Sequence, residues 1–208
     1  MSLAFRLIVI LCVALGVLPM VHGLDITPVN QTEGWKLYTN ARFGFTVRYP
    51  SDWRLGPPMP DGLGITLFPP TDKSQVALSG FLNTSAGASQ DGRQTLDEFA
   101  LAHRRIITEV HGKKNIRLRW ESDQATTLGG MPATLLRFAY QDIDGTEFVE
   151  THIVSLGRNE GRGIRIKVPR SNQPQLMPHI QELLNTYQPG RDQNNVSPFA
   201  PIKPDTAR

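Results

Sequence analysis

The segment from Trp35 to Trp53 constrains the fold more than any other stretch of the chain. It reads as two short strands closing on Pro50, with Phe43, Phe45 and Tyr49 alternating along the second. Aromatic and β-branched side chains at a period of two fit a pleated sheet with one buried face. The corner Pro50-Ser51-Asp52 then turns the chain and can start a helical turn at Trp53.

The amino terminus belongs to a different category. Residues 1–23 carry one early charge, Arg6, then an apolar run from Leu7 to Leu18, and end in Val21-His22-Gly23. This pattern predicts a secretory signal peptide cleaved near Gly23, and hence an exported protein, periplasmic or extracellular. A membrane anchor fits less well, because the run is shorter than the roughly 20 residues of a spanning helix and Pro19 and His22 interrupt it. Cys12 follows Leu11, where a lipidation signal wants a small residue, and it is the only cysteine. The rest of the chain therefore has no disulfide, thiol nucleophile or cysteine metal site and depends on its core for stability.

Four segments follow from composition: a signal peptide over 1–23, a lead-in over 24–34, one domain over 35–188 and a flexible proline-rich tail over 189–208. The tail has too little apolar surface to offset its ordering entropy. With Arg6 set aside, the 22 Lys and Arg become 21 against 19 Asp and Glu. That balance is too even to imply nucleic acid.

Within the domain, Gly64–Pro69 and Gln75–Asn83 read as a second pair of strands turning at Pro69-Pro70-Thr71-Asp72. Thr95-Leu-Asp-Glu98 is a capping box, in which hydroxyl and carboxylate satisfy free amides at a helix start. The helix it opens runs to about Val110, with Leu96, Phe99, Ala100, Ile106, Ile107 and Val110 on one side. Period-two strands follow near 115–124, 133–142, 146–156 and 163–168, predicting an antiparallel meander. Asp144-Gly145 joins the second and third of these as a two-residue turn. A last helix covers Gln175–Tyr187, with Pro178 compatible only with its first turn.

Over roughly residues 35–188 this order resembles the PsbP-like superfamily, which includes the extrinsic oxygen-evolving subunit of photosystem II and bacterial secreted proteins of the DcrB and Mog types. The resemblance rests on Phe43-Gly-Phe-Thr-Val-Arg-Tyr-Pro-Ser-Asp-Trp53, on the helix start Thr95-Leu-Asp-Glu-Phe99, and on Leu128-Gly-Gly-Met-Pro-Ala133 leading into a strand. It implies an α+β fold, an antiparallel β-sheet flanked by helices as an α/β/α sandwich. It also implies mostly non-catalytic work: binding, assembly or stabilising a larger complex. Nothing matches the plant subunit's long amino-terminal extension, so the resemblance does not carry water oxidation with it.

A two-residue turn at Asp144-Gly145 sets a register in which Arg137 lies opposite His152, with Glu150 one diagonal away. Leu136, Phe138 and Tyr140 would then share the core side with Val149 and Ile153. Continuing the alternation puts Ile164, Ile166 and Val168 inward. Arg117, Arg119, Arg137, Arg165 and Lys167 gather on the outer face, relieved by Glu121 and Glu150. Such a face is either an ordinary solvated surface or a docking surface for an acidic protein or an anionic envelope component. Guanidinium groups, which grip carboxylate or phosphate with two bonds, favour docking.

Catalytic and metal signatures are absent from the sequence. Glu150 and His152 have ligand spacing on a strand, but no third ligand is visible and the arginines oppose a cation. No nucleophile elbow or phosphate loop is present. The sequence predicts no cofactor, no metal and no enzyme activity, and membrane contact that is at most peripheral. An exported binding or complex-assembly accessory protein is the leading reading. The alternatives are an enzyme or small-ligand binder with polar groups in a cleft between sheet and helices, and an envelope stress or structural protein.

Overall fold

A computed structural model describes residues 34–83 and 94–190. The expected signal peptide, the lead-in up to residue 33 and the tail beyond Gly190 lie outside them. Nine strands and two α-helices are described. Strands β1 (Trp35–Thr39) and β2 (Thr46–Pro50) form a separate antiparallel hairpin. Strands β3 (Arg54–Leu55), β4 (Gly64–Phe68), β5 (Gln75–Leu82), β6 (Arg119–Leu128), β7 (Met131–Gln141), β8 (Glu147–Leu156) and β9 (Glu160–Pro169) form one sheet in the order β3-β4-β5-β9-β8-β7-β6. Every pairing in it is antiparallel. Helix α1 (Leu96–Gly112) connects β5 to the far-edge strand β6, and α2 (Gln173–Asn185) follows β9.

The aromatic alternation of the opening segment is the centre of the larger core. Phe43, Phe45, Val47, Tyr49 and Trp53 are all buried with Leu176, Ile180 and Leu183 of α2 against Leu67, Leu78, Ile153, Ile164 and Ile166 of the sheet. Pro50 to Trp53 forms a turn closed by the Trp53 N–H on the Pro50 carbonyl at 3.1 Å, leading into β3 and not into a helix. On the other sheet face, Ile107 of α1 joins Phe138, Tyr140 and Phe148 in a smaller cluster, with Trp120 packed against it. An antiparallel sheet with two helices is established. The fuller α/β/α sandwich expected from the sequence is not, with so few helices.

The capping box forms as expected: the Glu98 N–H donates to the Thr95 hydroxyl at 3.2 Å and the Thr95 N–H donates to the Glu98 carboxylate at 2.8 Å. The helix it starts is less buried than its pattern predicts, because Ile107 is its only fully buried residue. Ile106 and Val110 are 56% and 46% exposed. Helix α2 also departs from expectation by carrying Pro178 in its interior. Its core contacts at Leu176, Ile180 and Leu183 outweigh the missing backbone hydrogen bond.

Candidate functional site

The β7–β8 turn decides which side chains share a face, and it is one residue longer than the sequence reading assumed. Asp142 and Thr146 bracket a three-residue loop, closed by the Gly145 N–H on the Asp142 carbonyl and by the Asp142 N–H on the Thr146 carbonyl, both at 2.9 Å. Gly145 supplies the positive φ of +83° that such a loop needs. A one-residue slip moves every side chain to the opposite face. Arg137 therefore pairs with Thr151, Leu136 with His152, and Phe138 with Glu150. Leu136, Phe138 and Tyr140 do not share a face with Val149 and Ile153.

The predicted single basic face is thus divided. Arg165 lies opposite His152 and Lys167 opposite Glu150, so these four share the α1 side of the sheet. Arg137 and Arg119 point to the other side, and Arg117 precedes β6 as an exposed residue. There Arg137 binds Glu121 at 3.0 Å, Arg119 binds Glu121 at 3.2 Å and Glu147 at 3.0 Å, and Arg170 binds both acids. Burial raises the Glu121 pKa, but hydrogen bonds from Arg170, Arg137 and Arg119 outweigh it and hold it at about 2. These arginines are already engaged by Glu121 and Glu147.

Between α1 and the sheet lies a polar chain that the sequence did not reveal. The Glu150 side chain is 2% exposed and accepts from Arg165 Nε at 2.5 Å, from His152 Nε2 at 2.7 Å and from the Tyr140 hydroxyl at 3.3 Å. A carboxylate only accepts, so the hydrogen on His152 Nε2 points at Glu150 and Nδ1 is left for another partner. That partner is His103 Nε2 on α1, at 2.7 Å. Burial raises the Glu150 pKa, yet the bonds from His152 and Arg165 win and hold it at about 2. For His103, burial and then the charges of His152 and Arg165 lower the pKa to about 4, against a smaller upward pull from Glu150. Burial, followed by the Glu150 charge and hydrogen bond, pushes the Tyr140 hydroxyl well above its ordinary range.

Aromatic rings enclose the chain. His103 stacks on Phe99, which stacks on Phe81 of β5, and His152 tilts against Phe138. The arrangement can move or share a proton between helix and sheet. It offers no obvious metal seat, since His152 uses both ring nitrogens. Among the described residues no group of three or more His, Cys, Asp or Glu is placed to hold a metal ion.

Beside this chain the sheet is open. Alternate residues of β5 are fully buried (Val76, Leu78) and half-buried (Gln75, Ala77, Ser79), so the α1 side of β4, β5 and β9 is only partly covered. A groove of about 690 Å³ runs here, with the cations Arg54, Lys73 and Lys167 and the rings of Phe68 and Phe148 on its border together with Asp52, Asp72, Asp142 and Asp144. The Arg54 guanidinium lies 4.4 Å over Phe68 and the Lys167 ammonium 4.1 Å over Phe148. Among the described residues neither cation forms a salt bridge, whereas Lys73 pairs with Asp144. Of the seven residues that the sequence singled out, Glu150, His152 and Arg165 meet in the polar chain and Lys167 lines the groove beside it; Arg117, Arg119 and Arg137 belong to neither. His103 was missed, although it lies one turn from both Phe99 and Ile107 on the sheet-facing stripe.

A seven-stranded antiparallel sheet with an aromatic hairpin and two helices fits a PsbP-like fold. The structural similarities agree. Cyanobacterial PsbP (CyanoP) from Synechocystis sp. PCC 6803 superposes at a TM-score of 0.56 over 74% of this chain and 92% of its own, with 10% identity. A protein of Bacteroides thetaiotaomicron VPI-5482 superposes at 0.51 over 77% of this chain and 50% of its own, with 15% identity. LpqN, described as involved in cell envelope biogenesis of Mycobacterium tuberculosis, reaches 0.47 with 16% identity, too low to bear on the fold. No protein-family model matches the sequence, and no curated protein matches it.

Proposed function

We propose that the protein is an exported, non-enzymatic binding or assembly-accessory protein that docks an acidic partner along the open, α1-side half of its sheet. The observation that carries this reading is the groove in which Arg54 and Lys167 lie over aromatic rings and not on carboxylates. A cation resting on a ring loses little when an acidic group approaches it, and the adjoining aromatic surface adds apolar contact. Among the described residues no helix is long and apolar enough to cross a membrane. Export rests on the amino-terminal sequence pattern.

The test is capture of a partner from extract of the native host. The wild type is compared with Arg54→Gln/Lys167→Gln and with Arg117→Gln/Arg119→Gln, all checked for fold by circular dichroism. A partner held by the wild type and the second variant, and lost by the first, supports docking at the groove. Capture that is equal in all three, or lost only in the second, refutes it.

A second reading is favoured by a separate observation. A ligand site or active site in a cleft between sheet and helix requires polar groups there, and Glu150, His152 and His103 supply them. Retention of a small ligand by the purified protein, lost in His103→Ala, would put this reading first.

A further inference from the structure

The contact between His103 and His152 ties the helix to the sheet through a single hydrogen. In one arrangement His103 Nε2 carries it and donates to bare His152 Nδ1; in the other His152 Nδ1 carries it and donates to bare His103 Nε2. The 2.7 Å separation admits either arrangement but not two hydrogens, because two N–H groups would then face each other. Glu150 fixes the His152 ring from behind, so that ring cannot turn away without giving up its bond to the carboxylate.

Helix α1 is otherwise held by Ile107, by ring contacts of Phe99 with Phe81 and of His111 with Tyr140, and by Arg104 on Asp123 and Trp120. Its 17 residues include one fully buried side chain, Ile107, while Leu101, Ile106 and Val110 stand exposed. Elements with few buried contacts open first. The geometry points to an acid-sensitive latch: the His103–His152 bond holds α1 on the sheet, and a second hydrogen taken up between the two facing nitrogens releases the helix and uncovers the aromatic surface around Phe81 and Phe138.

The groups around the pair work in a consistent direction. From the sheet, Glu150 accepts from His152, and the Tyr140 hydroxyl and Arg165 converge on the same carboxylate. Lys167 lies over Phe148 and Tyr140. On the helix, His111 bonds the Ile107 carbonyl and packs edge-on against Tyr140. At the β6 side, Arg104 pairs with Asp123 at 2.9 Å and lies over Trp120, an exposed tie that the latch does not use.

The lowered proton affinity of His103 sets the expected pH window. Closed, the group titrates at about 4; released, it returns to its ordinary 6.5. The latch is engaged above 6.5 and weakens as pH falls, with helix opening growing by about three- to sevenfold per pH unit between pH 7 and pH 4. The cumulative change from pH 7 to pH 4 is about 100-fold.

Amide hydrogen exchange on the full chain from pH 7 to pH 4, corrected for intrinsic exchange rates, reads this directly. Amides of α1 should exchange through an opening that leaves β7 and β8 protected and that grows about 100-fold from pH 7 to pH 4. In His103→Gln the amide can flip to meet either form of His152 Nδ1, so the pH slope of α1 should disappear. A slope that survives in His103→Gln, or α1 and the strands exchanging only through one common opening, overturns the latch. Nitrogen-15 spectra of the wild-type imidazoles are read alongside, so that the test stands even if the variant fails to fold. Loss of the shared hydrogen should track loss of α1 protection, and rings that titrate with α1 unchanged overturn the inference equally.

Discussion

Replacing Glu150 by Leu tests whether one buried carboxylate organises the α1 side of the sheet. The substitution keeps bulk but removes the acceptor of three bonds, from His152, Arg165 and Tyr140. Arg165 has a side chain 47% exposed and recovers water, so its share is small. The His152 N–H and the Tyr140 hydroxyl are buried and lose their partner, at about 1–3 kcal/mol each. The expected loss at pH 7 is about 4 kcal/mol, in line with the cost of breaking a buried pair. Linkage supplies an independent figure. A carboxylate held at about 2 against an ordinary 4.5 contributes about 3 kcal/mol. The folded pKa is depressed, so this contribution is complete above 4.5 and fades as pH falls toward 2. Urea unfolding of both proteins, followed by tryptophan fluorescence, should show the difference in stability shrinking by about 1 kcal/mol between pH 5 and pH 3.5. A loss below about 1 kcal/mol at pH 7, or one that does not shrink in acid, would refute the central place given to Glu150.

Three further substitutions probe the scaffold. At Gly80 a Cβ would sit 2.2–2.7 Å from the buried Phe43 ring, so Gly80→Ala should cost about 1–3 kcal/mol in urea unfolding. At Gly163 the nearest atom is 3.4 Å away, and Gly163→Ala should be close to neutral by the same assay. Thr95→Ala removes the hydroxyl half of the capping box and should destabilise α1 by about 1 kcal/mol. Hydrogen exchange should place that loss in α1 and leave the β8 amides unchanged.

Much of the fold was legible because the relevant signals are local. The Thr95–Glu98 cap and the polar turn before Gln75 each act over a few residues and appear where the sequence puts them, whereas Phe43 and Phe45 are buried as expected but precede β2, which begins at Thr46. The face assignments of the meander failed at one point. Asp144-Gly145 has the composition of a two-residue turn, but Asp142 and Thr146 close a wider loop around it. A signal for the longer loop was available in Ile143, which is 93% exposed at the tip and would otherwise be the last apolar residue of β7. Alternation in β8 could not correct the error. From Phe148 to Ser155 that strand is buried on both faces, and a run covered on both sides carries no period-two contrast. The His103–His152 bond joins residues 49 apart in sequence, and no local pattern encodes it.

Charge count alone does not locate a docking surface; what matters is the cost of freeing each cation. On the side away from α1, Arg119, Arg137 and Arg170 converge on Glu121, whose carboxyl they hold at about 2 despite burial. An acidic partner recruiting any of them must displace a bond already made, and the gain nearly cancels. Arg165 is in a similar position through its Nε, which Glu150 occupies, although its exposed end can still reach outward. Arg54 and Lys167 differ because their resting contacts are the faces of Phe68 and Phe148. Exposed cation–π contacts are worth about 0.5–1 kcal/mol and persist when an anion approaches from the other side. Of the sheet cations compared, Arg54 and Lys167 are therefore the cheapest to engage, and this makes them the pair to neutralise.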